Sequence, residues 1–546
     1  MLCIQCEQTQ RTEGNLSGCI NAKGVCGKEA QTSDLQDILI HQVVEIAELE
    51  QKARKLSINV IEIDKFIKYS VFATLTNVNF STTRFQELVT EANSIGTKLL
   101  DSITGSVENK SKLPSIFSSK EGINDLLARA STAGMRYHES QIGEDANGLW
   151  LLILYGLKGV CAYAHHAEEL GYRDDELDNQ MCHLLAKLAN PSSDLEHLFN
   201  DAMDVGTLNL KVMDLLDRAN TESFGVPEIT KVRISQVKGK SILVSGHDLK
   251  YLADLLEQTK DAGVNIYTHG ELLPANTYPK LKAYPHLIGN YGGAWQDQQS
   301  EFERFPGPIL MTSNCLIEPK PRYRQRLFTT GPVGWTGVRH IKNQDFSPLI
   351  LAAKATPGFT SDEEDQFVTA GFNYRTVLSI ADKVIDAVKQ GDIKRFFVIG
   401  GCDGAKPGRN YYTELAEQTP KNTIILTAGC AKYRFNKLAH GDIGGIPRLI
   451  DLGQCNDSYS AVKIALALAE AFKCGVNDLP LSLMISWFEQ KATAVLLSLL
   501  SLGVKGIHLG PSLPVYLTPN LLNILQENFD LRINGRAEED IKQAMI

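Results

Sequence analysis

The chain has little that would suit it to a membrane or to nucleic acid. Long apolar runs are missing: the most apolar stretch, Ala492–Val504, is interrupted by serines and is too short to span a bilayer as a helix. Leu149–Leu157 is bounded by Lys158 and reads as a buried helix. Basic clusters are missing as well. Lys and Arg are scattered along 546 residues of net charge −9, the reverse of the basic patch that tracks phosphates. The opening MLCIQCEQTQ has neither the basic nor the apolar region of a secretory signal. No short-period repeat and no low-complexity tract occurs. With 43% hydrophobic and 22% charged residues, the composition is that of an ordinary globular protein with roughly two to four domains. These absences predict a cytoplasmic protein with no nucleic-acid and no membrane partner. In a reducing cytoplasm its eleven cysteines are not expected to form structural disulfides, so some need another purpose.

Two grammars divide the chain. From Leu35 to about Ser223 apolar residues recur at three- and four-residue intervals, as in Phe85, Leu88, Ala92, Ile95 and Leu99, which predicts helical bundles. Polar connectors such as Thr104–Ser119 and Asn190–Asp194 separate them. After Gly225–Pro227, short β-branched runs alternate with helical ones, which predicts α/β layers with mostly parallel sheets. DEEDQF, from Asp362, reads as a helix start near a boundary between two such layers, at about residue 370. The expected division is 1–224 for the N-terminal cysteines and helices, 225–370 for one α/β domain and 371–546 for the other. The fold class is thus α plus α/β, a helical-bundle domain followed by two Rossmann-like domains.

In open parallel sheets ligands bind beyond the carboxyl ends of the strands, so the residues found there matter most. FFVIGGCDGAKPGR, Phe396–Arg409, opens like a phosphate loop, but Gly400, Gly401 and Gly404 have the wrong spacing and Lys406 is followed by Pro407. Cys402 stands at the turn instead. Other runs end alike: SILVSG in His247, VNIYTHG in Glu271, PILMTSN in Cys315, TIILTAG in Cys430, RLIDLGQ in Cys455, and LSLMISWF in Glu489, with Lys491 two residues on. Taken singly, a buried cysteine usually only fills space. Chance has no reason to put four of eleven at strand ends. Cys161, Cys182 and Cys474 lie in helical patterns and are assigned to packing, and His165–His166 reads as structural because HHAEE is not H-E-x-x-H.

Four thiolates, one imidazole and two carboxylates are too many and too dispersed for structural zinc. Soft thiolates select iron–sulfur units, whereas imidazole and carboxylate suit iron with oxygen neighbours. The combination points to a polynuclear iron centre able to bind and reduce a small molecule. Cys3, Cys6, Cys19 and Cys26 form a second metal set, C-x2-C-x12-C-x6-C. Zinc and iron–sulfur are about equally compatible with that spacing alone; beside a redox site, an iron–sulfur cluster passing electrons inward is favoured.

MLCIQCEQT, VCGKEAQTSDLQDILI, GHDLKYL, YTHGELLPA, GNYGGAWQ, TSNCLI, GGCDGAKPGR, TAGCAKYRFN and WFEQKA together resemble the hybrid-cluster (prismane) proteins, over essentially the whole chain and in order. The resemblance implies hydroxylamine reductase activity. It also implies a hybrid [4Fe-2O-2S] cluster on His247, Glu271, Cys315, Cys402, Cys430, Cys455 and Glu489, with Cys402 able to carry a persulfide. The N-terminal spacing is that of the longer-spaced branch with one insertion, which implies either [4Fe-4S] or [2Fe-2S] at Cys3, Cys6, Cys19 and Cys26. That branch works with a separate NADH-dependent flavin and iron–sulfur reductase. Glu271, Glu489 and Lys491 are the expected catalytic residues, the carboxylates shifting between ligation and proton transfer. Lys491 would act as counter-charge or, with a lowered pKa, as proton donor. Nitric oxide reduction, protein S-nitrosylation under nitrosative stress and pure electron transfer are the competing readings. A carbon monoxide dehydrogenase is disfavoured by the two glutamates.

Overall fold

The computed structural model describes residues 1–10, 18–104, 127, 134–402 and 410–546. Most of the Thr104–Ser119 connector lies outside them, as do Gly404, Lys406 and Pro407 of the phosphate-loop comparison. Among the described residues six long helices form the first part: α1 (Ala30–Lys55), α2 (Ile61–Ala73), α3 (Thr82–Thr104), α4 (Glu144–Glu169), α5 (Asp175–Lys187) and α6 (Leu195–Phe224). The periodicity in α3 buries Phe85, Leu88, Ala92 and Leu99, with Ile95 half-buried. Asp174 and Asp194 start α5 and α6 by accepting hydrogen bonds from two backbone amides each. Helix α4 runs past Lys158 to Glu169, so it is long and apolar enough to cross a bilayer, contrary to the expectation for Leu149–Leu157; the apolar window that meets this test is wholly buried within the protein.

Among the described residues the strands form two sheets of six, each wholly parallel, and three two-stranded pairings. The first contains β1 (Ser241–Ser245), β2 (Asn265–His269), β3 (Leu287–Asn290), β4 (Ile309–Met311), β5 (Leu327–Thr330) and β6 (Arg339–Ile341), in the order β3-β2-β1-β4-β5-β6. The second contains β7 (Arg395–Gly401), β8 (Thr423–Ala428), β9 (Leu449–Gly453), β10 (Leu481–Ser486), β11 (Ile507–Gly510) and β12 (Arg532–Ile533). Its order is β9-β8-β7-β10-β11-β12. Both are the doubly wound 3-2-1-4-5-6 arrangement, whose strand order reverses between the first and fourth strands and opens a crevice there. The central strands are buried along nearly their whole length, as strands covered on both faces must be.

Two local expectations fail. DEEDQF starts no helix. The Glu363 amide bonds the Gln236 carbonyl, Asp362 accepts from the Lys238 amide, and Phe367–Ala370 pairs antiparallel with Thr230–Arg233. Tertiary pairing outweighs the acidic helix-start signal. Cys474 lies just beyond its helix, because Lys473 adopts a left-handed conformation (φ 55°) that ends it. Cys161 and Cys182 do lie inside α4 and α5, both buried.

Helix α7 (Leu249–Thr259) follows β1, α8 (Ser458–Phe472) follows β9, and α9 (Gln490–Ser501) follows β10. Helix α9 is held against α4 and α6 at two glycines. A Cβ on Gly159 would sit 2.8 Å from the Gln490 carbonyl oxygen and 3.0 Å from the Lys491 Cα; one on Gly206 would sit 2.1 Å from the Leu497 carbonyl oxygen. This close approach seats the helix that begins right after Glu489.

Candidate metal centre

The switch-point crevices hold the predicted residues. In the first sheet β1 leads to His247 and β4 to Cys315; in the second β7 leads to Cys402 and β10 to Glu489. The neighbouring strands β2, β8 and β9 deliver Glu271, Cys430 and Cys455. Six of the seven are buried, and Cys315 is half-buried.

Ligand atoms of His247, Glu271 and Cys455 lie within 4.8 Å of one another, with His247 Nε2 3.7 Å from Glu271 Oε2. Glu271 Oε2 accepts from the Cys455 amide (2.9 Å), which joins the two sheets at the site. Gln454 bridges the same seam by donating to the His247 (2.9 Å) and Glu271 (2.7 Å) carbonyls. Glu489 caps α9, its Oε2 accepting from the Lys491 amide at 3.0 Å. Lys491 Nζ lies 3.0 Å from His247 Nε2 and 2.9 Å from Asn314 Oδ1, while the Asn314 amide group is 3.6 Å from Cys315 Sγ. Each thiol in this group feels the charges of at least two of the other members.

Three features fit a bound metal. Glu271 Oε1 and Glu489 Oε1 are buried with no hydrogen-bond partner among the described residues, an arrangement costly unless a cation or proton meets them. His247 Nδ1 faces the Asn314 carbonyl at 3.1 Å, so Nδ1 carries the proton and Nε2 presents its lone pair inward, the usual arrangement of a metal-ligating imidazole. That lone pair already meets a cation, the Lys491 ammonium. Burial, then the charges of Lys491 and His166, holds His247 well below the ordinary histidine range and therefore neutral.

Burial also pushes up the pKa of Glu271, against the pull of Lys432 and Lys491, and that of Glu489, against the pull of Lys491. Cys315, Cys402 and Cys430 rise well above the ordinary thiol range, and Cys455 to about 11, in each case first through burial. Without a metal this pocket disfavours its own thiolates. The lowered pKa expected for Lys491 is not found. Burial opposes its charge, but Cys455, Glu489, Cys315 and Cys402 outweigh burial and raise it.

Two site neighbours escaped the sequence reading. Tyr163 on α4 donates to Cys455 Sγ at 3.4 Å. His166, read as structural, lies parallel to His247 with ring centres 6.4 Å apart, and its Nδ1 is 3.1 Å from Asp248 Oδ2. The only signal available was their position on the same helix as Lys158 and Cys161, one turn apart, and it points nowhere without the fold. A cavity of about 120 Å³ runs from Cys402, Cys455 and Lys491 between α8, α9 and the second sheet, and the exposed Leu466 and Leu502 also line it. Its walls are almost wholly aliphatic.

The N-terminal cysteines gather separately. Cys3 and Cys19 exchange backbone hydrogen bonds (3.2 and 2.9 Å). Burial raises Cys6 well above the ordinary range, and the charges of Cys26, Cys3 and Cys19 add to this, so all four thiols are neighbours. The segment is fastened to the start of α9: the Glu7 amide donates to the Phe488 carbonyl (2.9 Å), and Gln490 donates to the Gln5 carbonyl (2.8 Å). Phe488 packs on Trp295 (4.4 Å), whose indole donates to the Cys402 carbonyl (3.4 Å). The tripeptide Phe488–Gln490 therefore links the neighbourhoods of the two cysteine groups.

A sequence profile described as the Prismane/CO dehydrogenase family matches residues 1–542. The chain belongs to this family. Among its curated relatives is a hydroxylamine reductase of Acidithiobacillus ferrooxidans, 55% identical over 553 residues, covering 100% of this chain and 99% of the relative. A hydroxylamine reductase of Burkholderia ambifaria is 55% identical over 555 residues with the same coverage. Among solved structures, a nickel-free carbon monoxide dehydrogenase from Thermococcus sp. AM4 superposes with a TM-score of 0.56 at 17% identity, covering 99% of this chain and 90% of that one. At that identity the likeness is one of fold. The family's mixed helical and parallel-sheet architecture is the one expected from the sequence.

Proposed function

We propose that this family member is an iron–sulfur oxidoreductase that reduces hydroxylamine to ammonia and water, consuming two electrons and two protons. Full-length relatives at 55% identity carry that activity in their names. The observation that carries the reading for this chain is the convergence of His247, Glu271 and Cys455 within 4.8 Å, with orphaned carboxylate oxygens on Glu271 and Glu489. His247, Glu271, Cys315, Cys402, Cys430, Cys455 and Glu489 would hold a hybrid iron–sulfur–oxygen cluster, with Cys402 the position for a persulfide. Bound there, the cluster would supply Lewis acidity and electrons for N–O cleavage.

The chain's own residues handle the rest. Glu489 is held by its Oε2 at the start of α9, which leaves Oε1 free to take or release a proton. In the loaded site, ligating thiolates and carboxylates would keep Lys491 cationic, so it would act first as counter-charge and hydrogen-bond donor, oriented by Asn314. The aliphatic cavity admits a small uncharged molecule and few waters. Cys3, Cys6, Cys19 and Cys26 would hold a [4Fe-4S] or [2Fe-2S] cluster that receives electrons from a separate NADH-dependent flavin and iron–sulfur reductase. The helices with the N-terminal cysteines (1–224) and the two sheets (225–370 and 371–546) are the corresponding domains.

Nitric oxide is a second reading, favoured by that same cavity, whose lining suits a small apolar gas. Anaerobic purification with iron and sulfide counts, EPR, and viologen-linked assays with hydroxylamine and with nitric oxide test the assignment. The expected result is more iron than the four N-terminal thiols can hold, with turnover of hydroxylamine. Iron confined to those thiols, or turnover of nitric oxide alone, would overturn it.

A further inference from the structure

Beside the N-terminal cysteines the surface has a charge of its own. The loop between Cys19 and Cys26 turns Ile20 and Val25 outward, and Cys26, like Cys3, is half-buried whereas Cys6 and Cys19 are buried. Gly27 abuts the segments on either side of β5: a Cβ there would meet the Trp335 ring at 3.0 Å and Glu318 Cβ at 3.2 Å. Trp335 in turn lines a surface cavity of about 560 Å³, with Arg84, His340 and Lys342 on its walls and Glu87 as the one carboxylate among the described lining residues. Arg324 reaches across to the Thr336 carbonyl, and Lys320, Arg322 and Arg339 are exposed on the same segments. Lys23, Arg84 and Arg322 are paired with Glu318, Glu87 and Glu303. Lys320, Arg324, Arg339 and Lys342 have no carboxylate partner among the described residues. This is a local basic excess on a chain of net charge −9.

We propose that this face, apolar at Ile20 and Val25 and basic around Arg324 and Lys342, is where an acidic one-electron donor protein docks. The proposal rests on the reading of Cys3, Cys6, Cys19 and Cys26 as an iron–sulfur site. Charge complementarity sets the choice of occupant: an acidic partner is steered to this basic face beside the half-buried Cys26, against the overall negative charge of the chain. In each encounter the donor's centre is oxidised by one electron and the N-terminal centre is reduced by one. Two encounters supply the pair of electrons that hydroxylamine consumes with two protons.

The test uses full-length, cluster-loaded protein, no hydroxylamine, and a reduced plant-type [2Fe-2S] ferredoxin as the acidic probe. Reduction of the N-terminal centre is followed by anaerobic stopped-flow absorbance and freeze-quench EPR. The second-order rate should fall about tenfold between ~50 and ~500 mM salt. It should fall about tenfold at low salt in Arg324→Glu/Lys342→Glu, with loss of the salt dependence, while Lys389→Glu in the other α/β unit keeps both. Iron and sulfide contents and the dithionite-reduced EPR spectrum establish that each variant is folded and loaded. A double variant as fast as wild type, a rate that rises with salt, or no reduction by ferredoxin would overturn the docking face. A dithionite-reduced wild type without an iron–sulfur EPR signal from the N-terminal cysteines would instead sink the underlying cluster reading, and this proposal with it.

Discussion

The two sheets share one topology and differ in what their strand ends carry. Their first strands lead to His247 and Cys402, their second to Glu271 and Cys430, their fourth to Cys315 and Glu489. The third strand of the second sheet adds Cys455. The first sheet thus contributes an imidazole, a carboxylate and one thiol, and the second contributes three thiols and one carboxylate. A repeated scaffold with identical ends would build a symmetric site. Here the scaffold repeats and the donors do not, which suits a centre with a softer and a harder side. The hydrogen bond from the Cys455 amide to Glu271 locks the unlike halves together.

The sharpest way to break this comparison is to remove a carboxylate from each half. Glu489→Gln and Glu271→Gln should each lower hydroxylamine turnover by at least about 100-fold, the scale of losing an essential proton-transfer or ligand group. Each should also lower bound iron beyond that held by the N-terminal cysteines. Cys161→Ser, buried against Met181 and away from the strand ends, should keep both. If Glu271→Gln kept full iron and turnover, the first sheet would be scaffold only.

A second variant asks what Lys491 adds. It faces His247 from the first sheet and follows Glu489 in the second, so its charge serves both halves. Lys491→Met should cost about tenfold in kcat, and Lys491→Arg should recover part of it. Because the site raises the pKa of this lysine, the loss should not depend on pH across the neutral range. A loss that shrank steadily from pH 6 to pH 8, as wild type gave up its ammonium, would show that the lysine titrates as a proton donor there.

Much of this arrangement was legible in the sequence, for a local reason. A buried parallel strand announces itself through β-branched runs, and a strand end announces itself through the glycine or polar turn that follows, so Cys402, Cys430 and His247 could be found one at a time. Their convergence had to be inferred from the rule that ligands sit beyond parallel strand ends and from the donor set as a whole, because nothing in FFVIGGC says which crevice it faces. Short edge strands such as β6 and β12 carry too few residues to read. His166 and Tyr163 lie on a helix buried on every side from Ala146 to Ala167, so no amphipathic face marks the side that meets the site. DEEDQF misled because its acidic residues meet backbone amides of a neighbouring segment rather than the start of a helix.

Helix α9 allows the comparison to be sharpened without touching a donor. Gly159→Ala pushes on the backbone of Gln490 and Lys491, and Gly206→Ala pushes on the backbone of Leu497, two turns further along. Each should cost about 3 kcal/mol of stability, the scale of overpacking against main chain that yields poorly. Chemical denaturation checks this. Only Gly159→Ala should also lower turnover per bound iron, since it displaces the end of α9 that presents Glu489. Equal turnover in the two would mean that the site tolerates movement of that helix end.

The smallest effect concerns His165, beside the site but outside both sheets. Its ring packs edge-on to Tyr69 and Phe72, and its Nε2 is buried without a hydrogen-bond partner among the described residues. Burial first, then the charges of His166 and Lys68, pushes its pKa down to about 3, against the pull of Asp248. An unfolded histidine titrates near 6.5. The folded state therefore resists a proton that the unfolded chain accepts, so this residue favours folding fully above about pH 6.5 and progressively less as pH falls toward 3. At pH 5 the loss relative to pH 8 is about 2 kcal/mol by this linkage. Subtracting the urea-unfolding profile of His165→Asn, which cannot titrate, from that of wild type isolates the term from the carboxylates that protonate over the same range. A difference that stays flat between pH 8 and pH 5 would mean that His165 takes up its proton in the folded protein, and that the helical wall behind His247 is wetter than its packing indicates.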